Sequence, residues 1–319
     1  MFMAIIDEIK DIFKDTCKTA STLFIIMIPI SIIVKILVEL GTIEIIGNNL
    51  KPAMNVVGLP GEFGLVWATA MLTNIYGGLV VFFNLSLQNN YSVAQVTILG
   101  VMILLAHNLP VEVRIAQKAG VRLWFNLSLR LVGALMLGLI LNFVFSTFNL
   151  FQNDSTNFWK PEVVDPALSS WVLGELRNYL MIFIIILSLM ALMKTLKKTG
   201  AIEKLNNFLR PGLEFLGMSK NAAPIAVIGT TLGLAYGGGL IIKEAKSGML
   251  SKKDVFYSLS FMNLSHSLIE DTLLILAIGG SLFGILLGRV LFTIFVIVII
   301  IKIVKRLSYK TFEKYFVNY

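Results

Sequence analysis

Long apolar runs alternate with short polar interruptions along this chain. Predominantly apolar segments run from about Thr19 to Leu40, Arg122 to Phe148, Val172 to Leu196 and Ser281 to Ile301. Each reaches the ~18 apolar residues that mark a membrane-crossing helix. Two more apolar segments carry a glycine-rich break. Gly61 to Leu87 is interrupted by Thr73-Asn74-Ile75-Tyr76-Gly77-Gly78, and Asn221 to Lys243 by Leu234-Ala235-Tyr236-Gly237-Gly238-Gly239. A third pair carries polar knots. Ser92 to Ala119 holds His107-Asn108-Leu109-Pro110-Val111-Glu112, and Ser251 to Gly279 holds Asn263-Leu264-Ser265-His266-Ser267-Leu268-Ile269-Glu270-Asp271.

These paired features form a repeat. Displacing the sequence by 159 positions puts His107 on His266, the only two histidines. It also puts Ser92 on Ser251, Val96 on Val255, Glu112 on Asp271, Gly120 on Gly279 and Arg130 on Arg289. The stretch Gly41-Thr42-Ile43-Glu44, Leu50-Lys51-Pro52 and Gly58 likewise falls on Gly200-Ala201-Ile202-Glu203, Leu209-Arg210-Pro211 and Gly217. The chain therefore divides into an amphipathic N-terminal helix over 1–18, a first repeat over 19–148, a connector over 149–171, a second repeat over 172–301 and a basic tail over 302–319.

Composition places this pattern in a membrane. Hydrophobic residues are 56% of the 319, and charged residues 14%, against about 25% charged in soluble domains. The single cysteine, Cys17, excludes an internal disulfide and a multi-thiolate metal site. The segment before the first span has no cleavage-site pattern and is read as an interfacial helix rather than a signal peptide.

Charge then suggests a topology. If both glycine-interrupted segments are re-entrant hairpins and the N-terminus is cytoplasmic, 21 of the 27 Lys and Arg residues fall on the cytoplasmic side, as the positive-inside rule requires. Lys51, Lys160 and Arg177 fall on the other side, and Lys35, Arg130 and Arg289 within spans. The expected fold is an all-α membrane protein built as an inverted repeat. It has about six transmembrane helices, two re-entrant helical hairpins, and interrupted helices at the centre. Both termini are expected in the cytoplasm and the protein in the cell (inner) membrane, as a multi-pass chain.

Ionisable groups inside a bilayer are costly and face an interior or a cavity. Pro110 removes a helical donor and disfavours helix just before it, so a break is expected at Asn108-Leu109. His107, Asn108, Glu112, His266, Ser267 and Asp271 are the first candidates for substrate or ion binding, the histidines because they exchange protons near neutral pH. The competing reading is a polar network that locks helix packing. Glu112 and Asp271 are placed either at the site or at the membrane edge. The expected hairpin tips add Asn74, Tyr76, Gly77, Gly78, Tyr236, Gly237 and Gly238, where glycine lets backbone approach a ligand closely; the alternative there is a tightly packed turn. Asn263 and Glu270 are supporting candidates. Arg130 and Arg289 either pair with Glu112 and Asp271 or snorkel to the interface. No residue is assigned as catalytic or as a metal ligand, and no cofactor is expected.

No phosphate loop, H-E-x-x-H or G-x-S-x-G motif occurs, and the basic clusters read as topology signals, not as a nucleic-acid surface. The Gly-x-Ile-Glu to Leu-[Lys/Arg]-Pro block, the Tyr-Gly-Gly tips and the histidine-bearing broken helix resemble the nucleoside-recognition, or Gate, domain. That domain occurs in bacterial spore-maturation-type membrane proteins, the membrane part of ferrous-iron transporters and concentrative nucleoside transporters. The resemblance covers Thr19 to Phe148 and Val172 to Ile301. It implies an inverted-repeat transporter with paired hairpins around a central site. No GTPase domain accompanies it here, which counts against iron as cargo, and no nucleoside-binding signature carries over. The leading expectation is a secondary transporter of a small polar or anionic metabolite, nucleoside-like molecules among them, coupled to H⁺ or Na⁺. Its partners would be that solute or ion and the lipid bilayer, with homo-oligomerisation left open. The alternatives are a divalent-metal permease, a membrane-embedded enzyme and a non-transporting scaffold.

Overall fold

The computed structural model describes residues 2–40, 42–86, 89–155, 168–233, 242 and 250–317. Among these, the chain is helical, with only isolated bridges Ser92–Asp154 and Val121–Val317 outside helices and turns. In order, the helices are α1 (Phe2–Glu39), α2 (Thr42–Val56), α3 (Phe63–Leu72), α4 (Ile75–Ser86), α5 (Val93–Leu105), α6 (Leu109–Lys118), α7 (Leu123–Thr147), α8 (Leu168–Lys198), α9 (Ala201–Phe215), α10 (Ala222–Leu232), α11 (Lys252–Ser265), α12 (Glu270–Ala277), α13 (Arg289–Arg306) and α14 (Tyr309–Phe316). A π-turn, Phe283–Gly288, leads into α13.

Among the described residues, four helical segments are long and apolar enough to cross a membrane: Val93–Lys118, Leu123–Thr147, Ser169–Lys198 and Phe283–Arg306. Their outward faces carry large apolar side chains, Phe143, Leu173 and Leu291 among them, each more than half exposed. A lipid-facing surface needs such a face; a water-facing one rarely shows it so densely. The expected boundary at Lys18 is not present. Nothing between Lys10 and Phe24 breaks a helix, and α1 runs through it from Phe2 to Glu39. The described part of the basic tail is mostly helical. α13 continues to Arg306, and Ser308 accepts a hydrogen bond from Thr311 N at 3.2 Å to start α14, whose Phe312 is fully buried.

α5 and α11 form the centre. Nearly every residue of both is buried, and they pack on each other, on α7 and, for α11, on α13. Both start on the same device. Ser92 accepts from Gln95 N while Gln95 returns a bond to Ser92 N, and Ser251 and Asp254 do the same. Such a capping box satisfies two of the first-turn donors that a helix leaves unpaired. Gly120 and Gly279, matched in the repeat, both hold positive φ, 106° and 92°. Any side chain would be strained there.

α3 and α4 are joined at Thr73–Asn74 and pack together. With 10 and 12 residues, each arm spans only about 15–18 Å at ~1.5 Å per residue. In the second repeat α10 supplies one such arm; Tyr236, Gly237 and Gly238 lie outside the described residues.

Candidate functional site

The two broken helices place the candidate residues. α5 ends at Leu105, and α6 begins at Leu109 with Pro110 in its first turn and Asn108 left-handed at φ 48°. α11 ends at Ser265, and α12 begins at Glu270, with Ser267 left-handed at φ 49°. The second break therefore forms without a proline, at the matched position. Each break donates one backbone N–H to the end of a short arm. Asn108 N reaches Ala70 O at 2.9 Å, and Leu268 N reaches Thr230 O at 2.8 Å. An amide freed from helix pairing inside a bundle needs such a partner.

His107 and His266 face each other across these breaks. Their Nε2 atoms are 3.4 Å apart, their ring centroids 5.0 Å, and both are buried. Each Nδ1 lies 2.9 Å from the carbonyl four residues earlier, Ile103 O for His107 and Met262 O for His266. A carbonyl only accepts, so Nδ1 carries the proton in both rings. In a neutral ring of this tautomer Nε2 is the acceptor, and both Nε2 atoms face the shared space. Glu112 touches both: its Oε1 is 3.4 Å from His107 Nε2, and its Oε2 is 3.4 Å from His266 Nε2.

The arginines do not snorkel. Arg130 and Arg289 are fully buried and stitch the breaks together by matched bonds. Arg130 Nε donates to Leu105 O at 2.8 Å and its Nη2 to His107 O at 2.9 Å. Arg289 Nε donates to Leu264 O at 2.8 Å and its Nη2 to His266 O at 2.9 Å. The likeness ends at the carboxylates. Arg130 Nη1 donates to Glu112 Oε2, but Arg289 Nη1 and Asp271 Oδ2 are both buried without a hydrogen-bond partner. Asp271 belongs instead to a buried group with the two histidines, whose ligating atoms all lie within 4.8 Å of one another. Glu112 and Asp271 are both buried within the protein, at 8% and 6% exposure.

The other candidates take supporting places. Tyr76 lies beside Glu270, at the start of α12. Tyr76 also lines an apolar cavity of about 170 Å³ with Leu79, Phe83, Ile182, Ile185 and Leu274. Asn74 Oδ1 accepts from Gly77 N at 2.9 Å, a local cap. Gly78 is a packing glycine: a Cβ there would stand 2.8 Å from Ala70 Cβ and 3.2 Å from Val66 O. Asn263 Nδ2 donates to Asn126 Oδ1 at 2.8 Å, tying α11 to α7.

Two groups were not singled out by the sequence. Asn126, an amide in the apolar helix α7, is the partner of Asn263. Glu175 is buried in α8, where Oε2 accepts from Ser31 Oγ at 2.7 Å, and Tyr179 OH donates to Ser31 Oγ at 2.7 Å. A carboxylate inside an apolar run is itself a signal, and Glu175 lies within a turn of Val172, where that run begins.

The chain is similar to an uncharacterized membrane protein, YvoD, of Bacillus subtilis (strain 168). The two are 28% identical over 281 residues, which cover 86% of this chain and 87% of the relative. No protein-family model and no solved structure matches the chain. With the four apolar helical segments, this relative makes the chain an all-α integral membrane protein.

Proposed function

We propose that the protein is a secondary transporter whose solute or coupling ion occupies the space between His107 and His266. One observation carries this reading. Two histidines from matched helix breaks meet at 3.4 Å in the interior of an apolar bundle, with Glu112 against both and Asp271 Oδ2 without a hydrogen-bond partner. A network that only locked packing would satisfy its buried polar atoms; this one leaves acceptors facing one another. Discontinuous helices with short flanking arms are the usual setting of a transport site near the membrane midplane. The resemblance to Gate-domain proteins supports the same reading. So does the Lys and Arg asymmetry, which favours cytoplasmic termini in an inner membrane, inverted repeats and re-entrant hairpins.

The cargo on this reading is a small polar or anionic metabolite moving with H⁺ or Na⁺. The purified chain in proteoliposomes should accumulate radiolabelled candidate solutes when a proton or sodium gradient is imposed, and lose that uptake in His107→Ala and His266→Ala. Normal uptake by both variants would remove the site from the transport path.

A further inference from the structure

The paired histidines present a coordination problem that hydrogen bonding does not solve. With Nδ1 of each ring donating to a carbonyl, the inward atoms are all acceptors: two Nε2 lone pairs, the Glu112 oxygens and Asp271. Arg130 answers Glu112. Among the described residues nothing answers Asp271 Oδ2. A proton shared between the rings would bridge two atoms only. The 3.4 Å between them is also longer than the 2.7–3.2 Å of an N–H hydrogen bond. A metal ion fits the spacing better. Two bonds of about 2.0–2.1 Å meeting at a tetrahedral angle hold their nitrogens about 3.3–3.4 Å apart.

We propose that His107 Nε2, His266 Nε2 and the Asp271 carboxylate bind one divalent first-row transition-metal ion of the zinc class. Three protein ligands leave a fourth position open, the arrangement of exchangeable rather than structural sites. Imidazole donors favour Zn²⁺, Co²⁺, Ni²⁺ or Fe²⁺ over Mg²⁺ and Ca²⁺, which take oxygen shells. The second coordination layer is in place: a backbone carbonyl fixes the tautomer of each histidine, as ligating imidazoles require. Arg130 holds Glu112 3.4 Å from both Nε2 atoms. Glu112 thereby adds negative potential beside the ion without being free to displace Asp271. This inference rests on the location of the proposed transport site and not on its metabolite cargo. The ion is either the cargo or a bound partner of it.

Equilibrium binding tests this without transport. Co²⁺ titrated into the full chain in detergent should bind one ion per chain, with the intense visible bands of four-coordinate Co²⁺, and Zn²⁺ should displace it where Mg²⁺ does not. His107→Gln, His266→Gln and Asp271→Asn should each weaken binding by more than the 10–100-fold that loss of a supporting partner costs. If a variant does not fold, X-ray absorption of the Zn²⁺-loaded wild type decides: two imidazole nitrogens at about 2.0–2.1 Å are expected. Absence of stoichiometric binding, or a Zn²⁺ shell without imidazole, overturns the proposal. A chain that drives solute uptake in chelator-treated liposomes yet binds no Co²⁺ overturns it while leaving the transport reading intact. Radioactive Zn²⁺ accumulating inside liposomes identifies the ion as cargo; solute uptake that needs Zn²⁺ without accumulating it identifies a bound partner. Both support the site.

Discussion

Arg130 and Arg289 make the same two bonds to the same relative carbonyls of their respective helix breaks, yet only Arg130 has a carboxylate on its third nitrogen. Sequence duplication has been kept in the framework and relaxed at the centre.

That difference predicts unequal mutational costs. Arg130→Gln strands Glu112 as an unpaired buried charge and is expected to destabilise the protein by about 3–5 kcal/mol. Arg289→Gln removes carbonyl partners but leaves no ion pair broken, so its cost is smaller. Glu112→Gln in the Arg130→Gln background should restore part of the loss. Thermal unfolding in detergent ranks the four proteins; equal losses for the two arginines would contradict the asymmetry.

The histidines should behave as one unit. Residues in direct contact couple by about 0.5–3 kcal/mol, and the His107 and His266 rings lie 5.0 Å apart. A double-mutant cycle with His107→Ala and His266→Ala, read by solute uptake and separately by unfolding, is expected to be non-additive. Strict additivity in both readouts would mean two independent half-sites.

Gly78 tests the division between site and scaffold. Its missing Cβ would meet Ala70 Cβ at 2.8 Å and Val66 O at 3.2 Å, and a backbone oxygen yields little. Gly78→Ala is expected to cost about 1–3 kcal/mol by overpacking and to leave ligand affinity unchanged. Stability unchanged with affinity lost would make the tip a binding element.

The capping boxes offer a matched pair for the repeat itself. Ser92→Ala and Ser251→Ala each remove a side-chain acceptor from the first turn of a central helix, at about 0.5–2 kcal/mol. Similar losses in chemical unfolding are expected for the two variants. A large loss for one alone would show that the two central helices do not contribute equally to stability.

Much of the site was legible before any coordinates. A histidine, a carboxylate and an arginine recur at one spacing in sequence that tolerates few polar groups, and all six proved to be buried neighbours. The proline predicted the first break. The capping boxes are legible too, as a serine followed three residues later by Gln95 or Asp254. The bonded pair Asn126–Asn263 was half visible: Asn263 was noted and its partner was not. What periodicity misstated was continuity at the N-terminus, because hydropathy changes at Lys18 while helix propensity does not, and α1 follows propensity.

By itself the sequence determined an all-helical membrane chain with two polar knots matched at a separation of 159 residues, because apolar run length, proline and glycine placement and duplication are local properties. Only the tertiary structure decided that the knots meet, that both arginines turn inward, and that Asp271 is left facing two imidazoles while Glu112 is claimed by Arg130. These outcomes turn on how α5, α7 and α11 pack. A shift of an ångström or two there chooses which carboxylate an arginine can reach, and hydrogen-bond energy falls away over that same distance.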